Sequence, residues 1–159
     1  TNIPIQFPVT GNHYDKVNEV SPDEDTTYLE TLLGGTSLFD RFGLPDHTSE
    51  TGVINSVTVF IRCKRMGGTN TNLIRTLLRT GGISYQVTKS ETDSYANYST
   101  VYTTNPGTGV AWTWTEIDAL IIGVALSDDM ISTRRCTQVY AEVDYTPPSS
   151  NTSNMFQLF

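Results

Sequence analysis

Apolar residues along this chain recur mostly at every second position, the period of a β-strand whose two faces meet different surroundings. Val53 to Cys63 reads VINSVTVFIRC, with Val57, Val59, Ile61 and Cys63 on one parity and Ser56, Thr58 and Arg62 on the other. Its β-branched enrichment strengthens the strand reading and turns Cys63 inward with the valines. Asn72 to Thr80 alternates in the same way: Ile74, Thr76 and Leu78 form one face, Arg75 and Arg79 the other, until Gly81-Gly82 breaks the run. Ile83 to Lys89 and Tyr95 to Thr104 follow as strands. Leu120 to Leu126 is continuously apolar, the pattern of a strand covered on both faces. Arg135 to Tyr145 places Val139, Ala141, Val143 and Tyr145 on one face and Cys136, Gln138, Tyr140, Glu142 and Asp144 on the other, and Pro147-Pro148 ends it.

The beginning of the chain is less regular. Tyr28 to Leu33 and Ser37 to Phe42 read as two short strands around Gly34-Gly35. Ile3, Ile5, Phe7 and Val9 alternate, but Pro4 and Pro8 restrict that segment to an edge strand or an extended arm. Asn105-Pro106-Gly107-Thr108-Gly109 is a turn, because proline presets φ and glycine accepts positive φ. One short helix is expected at Thr115-Glu116-Ile117-Asp118, with Thr115 as the cap and an acid three residues on. Short strands punctuated by turns at this density predict an all-β fold, a jelly-roll-like antiparallel β-sandwich of about eight strands with one short helix. An N-terminal arm and edge strand over 1–25, a sandwich over 26–146 and a C-terminal arm over 147–159 complete the expected organisation, with no internal repeat.

Composition narrows the function. The 159 residues hold enough chain for one core, and a hydrophobic fraction of 37% suits a two-layer sheet in which alternate positions are apolar. Ten basic residues against seventeen acidic ones give a net charge of −7 and a pI near 4.6. That balance opposes a phosphate backbone or an anionic membrane surface, so neither nucleic acid nor membrane is expected as a partner. No apolar run approaches the ~20 residues of a membrane span, and no signal peptide is expected at the first residues.

Candidate chemistry is sparse. His13 and His47 are the histidines; no G-x-S-x-G motif accompanies either, and the expectation for both is an exposed loop residue. Asp23-Glu24-Asp25 has oxygen ligands for Ca²⁺ but not the alternate spacing of an ion loop, so a solvated acidic turn is expected and no metal or cofactor. Glu142 and Asp144 share a strand face and are read as solvated. Cys63 and Cys136 fall on faces of opposite character and are expected as free thiols. Tyr95, Tyr98, Tyr102, Trp112 and Trp114 form an aromatic-rich stretch that would suit stacking on sugars, and the same rings serve equally as core and rim residues. No catalytic constellation emerges, and a non-enzyme is expected.

Three segments together resemble a known group. These are Ile74 to Tyr85 (IRTLLRTGGISY), Thr104 to Thr113 (TNPGTGVAWT) and Thr137 to Tyr145 (TQVYAEVDY), with Ser56 to Arg65 ahead of them. In this order they are similar to virion structural proteins of tailed bacteriophages and prophages, over about residues 26–146. The resemblance implies a jelly-roll-like sandwich displayed on a virus particle. The protein would be made in the host cytoplasm and would contact the major capsid protein or a tail component and copies of itself. It transfers no catalytic residue. A decoration or stabilising protein on the outer capsid is the expectation, and a glycan-binding module of a tail fibre or a secreted cell-surface protein is the alternative. The apolar residues of the two arms, Ile3, Ile5, Phe7 and Val9 at one end and Met155, Phe156, Leu158 and Phe159 at the other, are expected to reach another subunit.

Overall fold

The computed structural model of the chain describes residues 2–32, 34, 37–148 and 154–159; the side chains of Asn154 and Phe156 fall outside what is described. The strands are β1 (Ile5–Phe7), β2 (Tyr28–Glu30), β3 (Ser37–Gly43), β4 (Val53–Met66), β5 (Ile74–Thr80), β6 (Ile83–Lys89), β7 (Ala96–Tyr102), β8 (Ile121–Ser127), β9 (Thr133–Thr146) and β10 (Asn154–Leu158). The helix α1 is Trp114–Asp118. Antiparallel pairing is nested: β5 with β6, β4 with β7, β3 with β8 and β2 with β9. This long folded ribbon then wraps so that β9 also pairs β4 and β8 also pairs β5. The result is two sheets, β2-β9-β4-β7 and β3-β8-β5-β6, the strand order of a jelly roll. β1 extends the first sheet beyond β2, and β10 pairs β9 beyond the end of β2.

Alternation predicts most of the core. Val57, Val59, Ile61 and Cys63 of β4 and Val139, Ala141 and Val143 of β9 meet Ile74 and Leu78 of β5 and Ile122, Val124 and Leu126 of β8 between the sheets. Thr76 and Thr100 join the layers by a 2.6 Å hydrogen bond between their hydroxyls. The continuous burial of β8 has a local cause: its outward positions are Gly123 and Ala125, across from Arg41 and Phe39 of β3. A side chain at Gly123 would meet the Asp40 carbonyl at 2.0 Å, so only glycine fits there. Between β5 and β6, Gly81 and Gly82 have φ of 56° and 82°, the two positive values of a two-residue hairpin turn.

Two bulges depart from simple alternation. In β4, Asn55 is the extra residue between the pairs Ile54/Tyr145 and Ser56/Asp144, so Ile54 joins the core while Val53 is exposed. In β9, Thr137 is the extra residue between Arg62/Gln138 and Cys63/Cys136. Cys136 therefore turns into the core opposite Cys63, which corrects the expected placement on the polar face; both are free thiols. Burial, and then hydrogen bonding with Cys136, pushes the Cys63 thiol well above its ordinary pKa. The helix also starts earlier than expected. Thr113, and not Thr115, is the cap, and Glu116 closes a capping box with it. Leu33, expected at the end of the second strand, lies outside the described residues.

The same bulge carries Arg134 inside, where its side chain and that of Glu91 are wholly buried at 3.0 Å. Arg134 also donates to the carbonyls of Ser132 (3.0 Å) and Asn70 (2.8 Å), and Glu91 accepts from the Leu73 N–H at 3.2 Å. Three connections at this end of the sandwich are thereby tied to one guanidinium. Removing one partner of a buried pair leaves an uncompensated charge, so Arg134→Met should destabilise the fold by about 3–5 kcal/mol in urea titration. Arg134→Met combined with Glu91→Leu should recover much of that loss, leaving the Leu73 N–H unpaired.

Candidate functional site

At the opposite end from Arg134, three connections frame a concavity of about 320 Å³. The β5–β6 hairpin contributes Thr80, Gly81 and Ile83; the turn after β7 contributes Asn105, Gly107 and Thr108; α1 and its end contribute Thr115, Glu116 and Ala119. The glycine pair, the Asn-Pro-Gly-Thr-Gly turn and the short helix thus converge on one feature although they are spread over some forty residues.

Asn105 organises this site. It is buried, its Nδ2 donates to Thr80 Oγ1 (3.2 Å), and its Oδ1 accepts from Gly107 N (2.8 Å). Its carbonyl accepts from Thr108 N and Gly109 N, and its own N–H donates to the Val110 carbonyl at 2.8 Å. The turn bonds within itself and, through Asn105, to Thr80. Glu116 is the charged member, and its carboxylate accepts from Thr113 N (2.8 Å) and Thr113 Oγ1 (3.0 Å). Ile83 stands at the rim, 55% exposed. The charge this lining carries is that of a carboxylate, which opposes an anionic guest.

The five aromatic candidates do not form one platform. Trp112 is buried and donates to the Tyr102 carbonyl at 3.0 Å. Tyr98, Tyr102 and Trp114 pack against the core; Trp114 also donates to the Gly52 carbonyl (3.1 Å), meets Tyr145 edge-on and stacks on His47. Tyr95 lies on the outer side of the first sheet, where Lys64 sits 4.4 Å from its ring centroid and its hydroxyl donates to Asp25 at 3.1 Å.

The arm residues divide. Ile3 and Leu158 are buried in the core of their own chain, Ile5 is half-buried, and Phe7, Val9 and Met155 are exposed, with Phe7 stacked on Tyr28. Phe159 stacks on Tyr140, and its carbonyl accepts from Tyr14 Oη at 2.8 Å. Phe156 is opposite Val143 in the β10–β9 ladder, and its side chain lies outside what is described.

The charged candidates are engaged in ways their local sequence does not reveal. His13 Nδ1 lies 2.8 Å from Asp40, and His47 Nδ1 lies 2.7 Å from Asp118, so neither is the free loop histidine expected. Burial pushes the Asp40 carboxyl up, with His13 pulling it down, and the bond from His47 holds Asp118 below the ordinary range. Among the described residues no hydroxyl or thiol bonds to either ring. The acidic turn is paired and not merely solvated: Glu24 with Arg62, Asp25 with Lys64 and Arg135 at 2.7 and 2.8 Å, while Asp23 accepts from Thr27. Glu142 accepts from Gln157 of β10 at 2.6 Å.

Asn105→Ala should lower stability by about 1–3 kcal/mol, because it strands the Gly107 N–H and a buried threonine hydroxyl. Amide exchange should rise at Gly107 while the β4–β9 ladder stays protected. Equal loss of protection in both places would show that the turn is not a separate unit. No family model and no curated protein matches this chain.

Proposed function

We propose that this chain is a structural protein of a tailed-phage virion, seated on the outer surface of the capsid and held by contacts between protein subunits. The observation that supports this most is the convergence of two of the segments that carry the family resemblance, the Gly81-Gly82 hairpin and the Asn105–Gly109 turn, on one concavity beside α1. The jelly-roll order is compatible with that setting and does not by itself decide function. The excess of acid fits a surface that faces away from packaged nucleic acid. Exposed Phe7, Val9 and Met155 on the two end segments leave apolar surface for neighbours, copies of itself or the major capsid protein among them.

Particles produced by the encoding phage or prophage, purified on a density gradient, should contain this chain in many copies, and electron cryomicroscopy should find it outside the capsid. A particle lacking the chain overturns the reading, and a glycan array with selective binding would favour a receptor-binding module instead. Deleting residues 149–159 removes β10 and the buried Leu158, which should lower the melting temperature by about 5–10 °C and leave a folded domain. That shortened chain should bind purified particles poorly; undiminished binding would exclude the C-terminal segment from the contact.

A further inference from the structure

The extra residue Thr137 in β9 does more than turn Arg134 inward. Just before it, Cys136 pairs directly with Cys63 of β4, and the ladder continues from there without a break through Lys64/Arg135 and Arg65/Arg134 to Met66/Thr133. Both cysteines are wholly buried in the one core between the sheets, so their side chains leave neighbouring strands toward the same side. Without the bulge, alternation would send Cys136 out with the polar face of β9. The register thus sets the two cysteines of the chain face to face.

An antiparallel ladder holds directly opposed residues with their Cα atoms about 4.5–5.5 Å apart and their Cβ atoms about as far. A disulfide takes Cα atoms about 4.4–6.8 Å apart and Cβ atoms about 3.5–4.5 Å apart. The backbone as it stands therefore meets the first requirement, and the second asks the side chains to close by about an ångström. The Cys63 thiol is already hydrogen-bonded with Cys136, whose own sulfur donates to the Gln138 carbonyl at 3.4 Å, a weak bond that is readily given up.

We propose that Cys63 and Cys136 form a cross-strand disulfide when the chain meets an oxidising medium that contains an organic disulfide, and that the pair of free thiols is its reduced form. In the exchange one cysteine sulfur attacks the organic disulfide and releases one thiol, which leaves a mixed disulfide on the chain. The second cysteine sulfur attacks the first, the protein S–S bond forms, and the other thiol leaves. The two cysteines lose two electrons and two protons, and the organic disulfide takes them up as two thiols. The closed fold seals both sulfurs, so the exchange takes place while the strands are open. A cytoplasm keeps such thiols reduced, and the link belongs to a chain that has left one. It would join β4 to β9, adjacent 14-residue strands of the first sheet, and enclose a loop of roughly seventy residues that holds β5 to β8 and α1. Closing a loop of that length takes freedom from the unfolded chain and so stabilises the folded one. This inference does not rest on where the protein sits on a particle.

The test uses the full chain, purified reduced. It is incubated with oxidised glutathione in urea just below its unfolding midpoint, where opening is frequent, and the urea is then removed. The main product should be a monomer whose intact mass is lower by two hydrogen atoms, and peptide mapping should find Cys63 joined to Cys136. The linked chain should melt about 8–15 °C above the reduced one, and dithiothreitol should reverse the gain. A chain carrying Cys63→Ala and Cys136→Ala should melt alike in both media. The inference is overturned if the main product keeps two free thiols, carries glutathione or is linked between chains. It is also overturned if the linked chain melts no higher than the reduced one, since the two cysteines then serve the fold only as small core residues.

Discussion

At Thr137 the backbone of β9 carries one residue more than its partner β4, and because side chains alternate along a strand, everything before that point is turned over relative to everything after it. Two consecutive arginines are sorted by this step. Arg134 goes inside, where it needs the buried Glu91 and thereby draws in the connections that carry Asn70, Leu73 and Ser132. Arg135 goes outside, where it bonds Glu30 and Asp25 and lies over the Tyr28 ring at 4.1 Å. Thr137 itself donates to the Thr27 carbonyl, the Gln138 side chain donates to the Glu19 carbonyl, and the Val139 N–H donates to the Val17 carbonyl. The bulge is thus both the closure of one end of the sandwich and the seam along which the N-terminal segment is attached.

The two ends of the sandwich are closed by different chemistry, and their shapes follow from it. A buried guanidinium offers five donors in a fixed fork and draws carbonyls and carboxylates inward. The turns around Arg134 are pulled onto it, and the apolar residues of the β8–β9 turn are left outside. The other end is closed by Asn105, a neutral side chain with fewer bonds to give. It bonds within its own turn and to Thr80 at the end of β5, and a concavity remains between the turn, the hairpin and the helix. The gathered turns at one pole and the concavity at the other therefore begin with which polar residue is buried at each.

Strand positions were legible in the sequence because period-two alternation directly reflects a sheet with one face on the core. The strands expected from Val53, Asn72, Ile83 and Ser37 onward all occur, the second of them beginning at Ile74, as does the run into β8. Alternation assumes an unbroken ladder, however, and a bulge is an extra residue with no composition of its own. Thr137 looks like any strand threonine, so plain alternation puts Cys136 on the wrong face and gives no sign that Arg134 is interior. The capping box lies two residues earlier than expected: Thr113 and Thr115 both precede an acid at the required spacing, but it is the longer Glu116 side chain that reaches back to its cap's N–H. Long-range charge pairs such as Arg62 with Glu24 and His47 with Asp118 join residues too far apart in sequence for local pattern to register.

Charge placement completes the argument about partners. On the outer side of the first sheet, Arg62, Lys64 and Arg135 are each paired with an acid brought over by the N-terminal half of the chain. Bases that in isolation would make a positive stripe are neutralised within the molecule, and the residual charge is carried by carboxylates elsewhere. A polyanion approaching that face meets bases already paired with carboxylates, so the counterion release that drives nucleic-acid binding has little to act on. The internal pairing that holds the N-terminal segment in place therefore also removes a cluster of bases that this acidic chain could otherwise offer a polyanion.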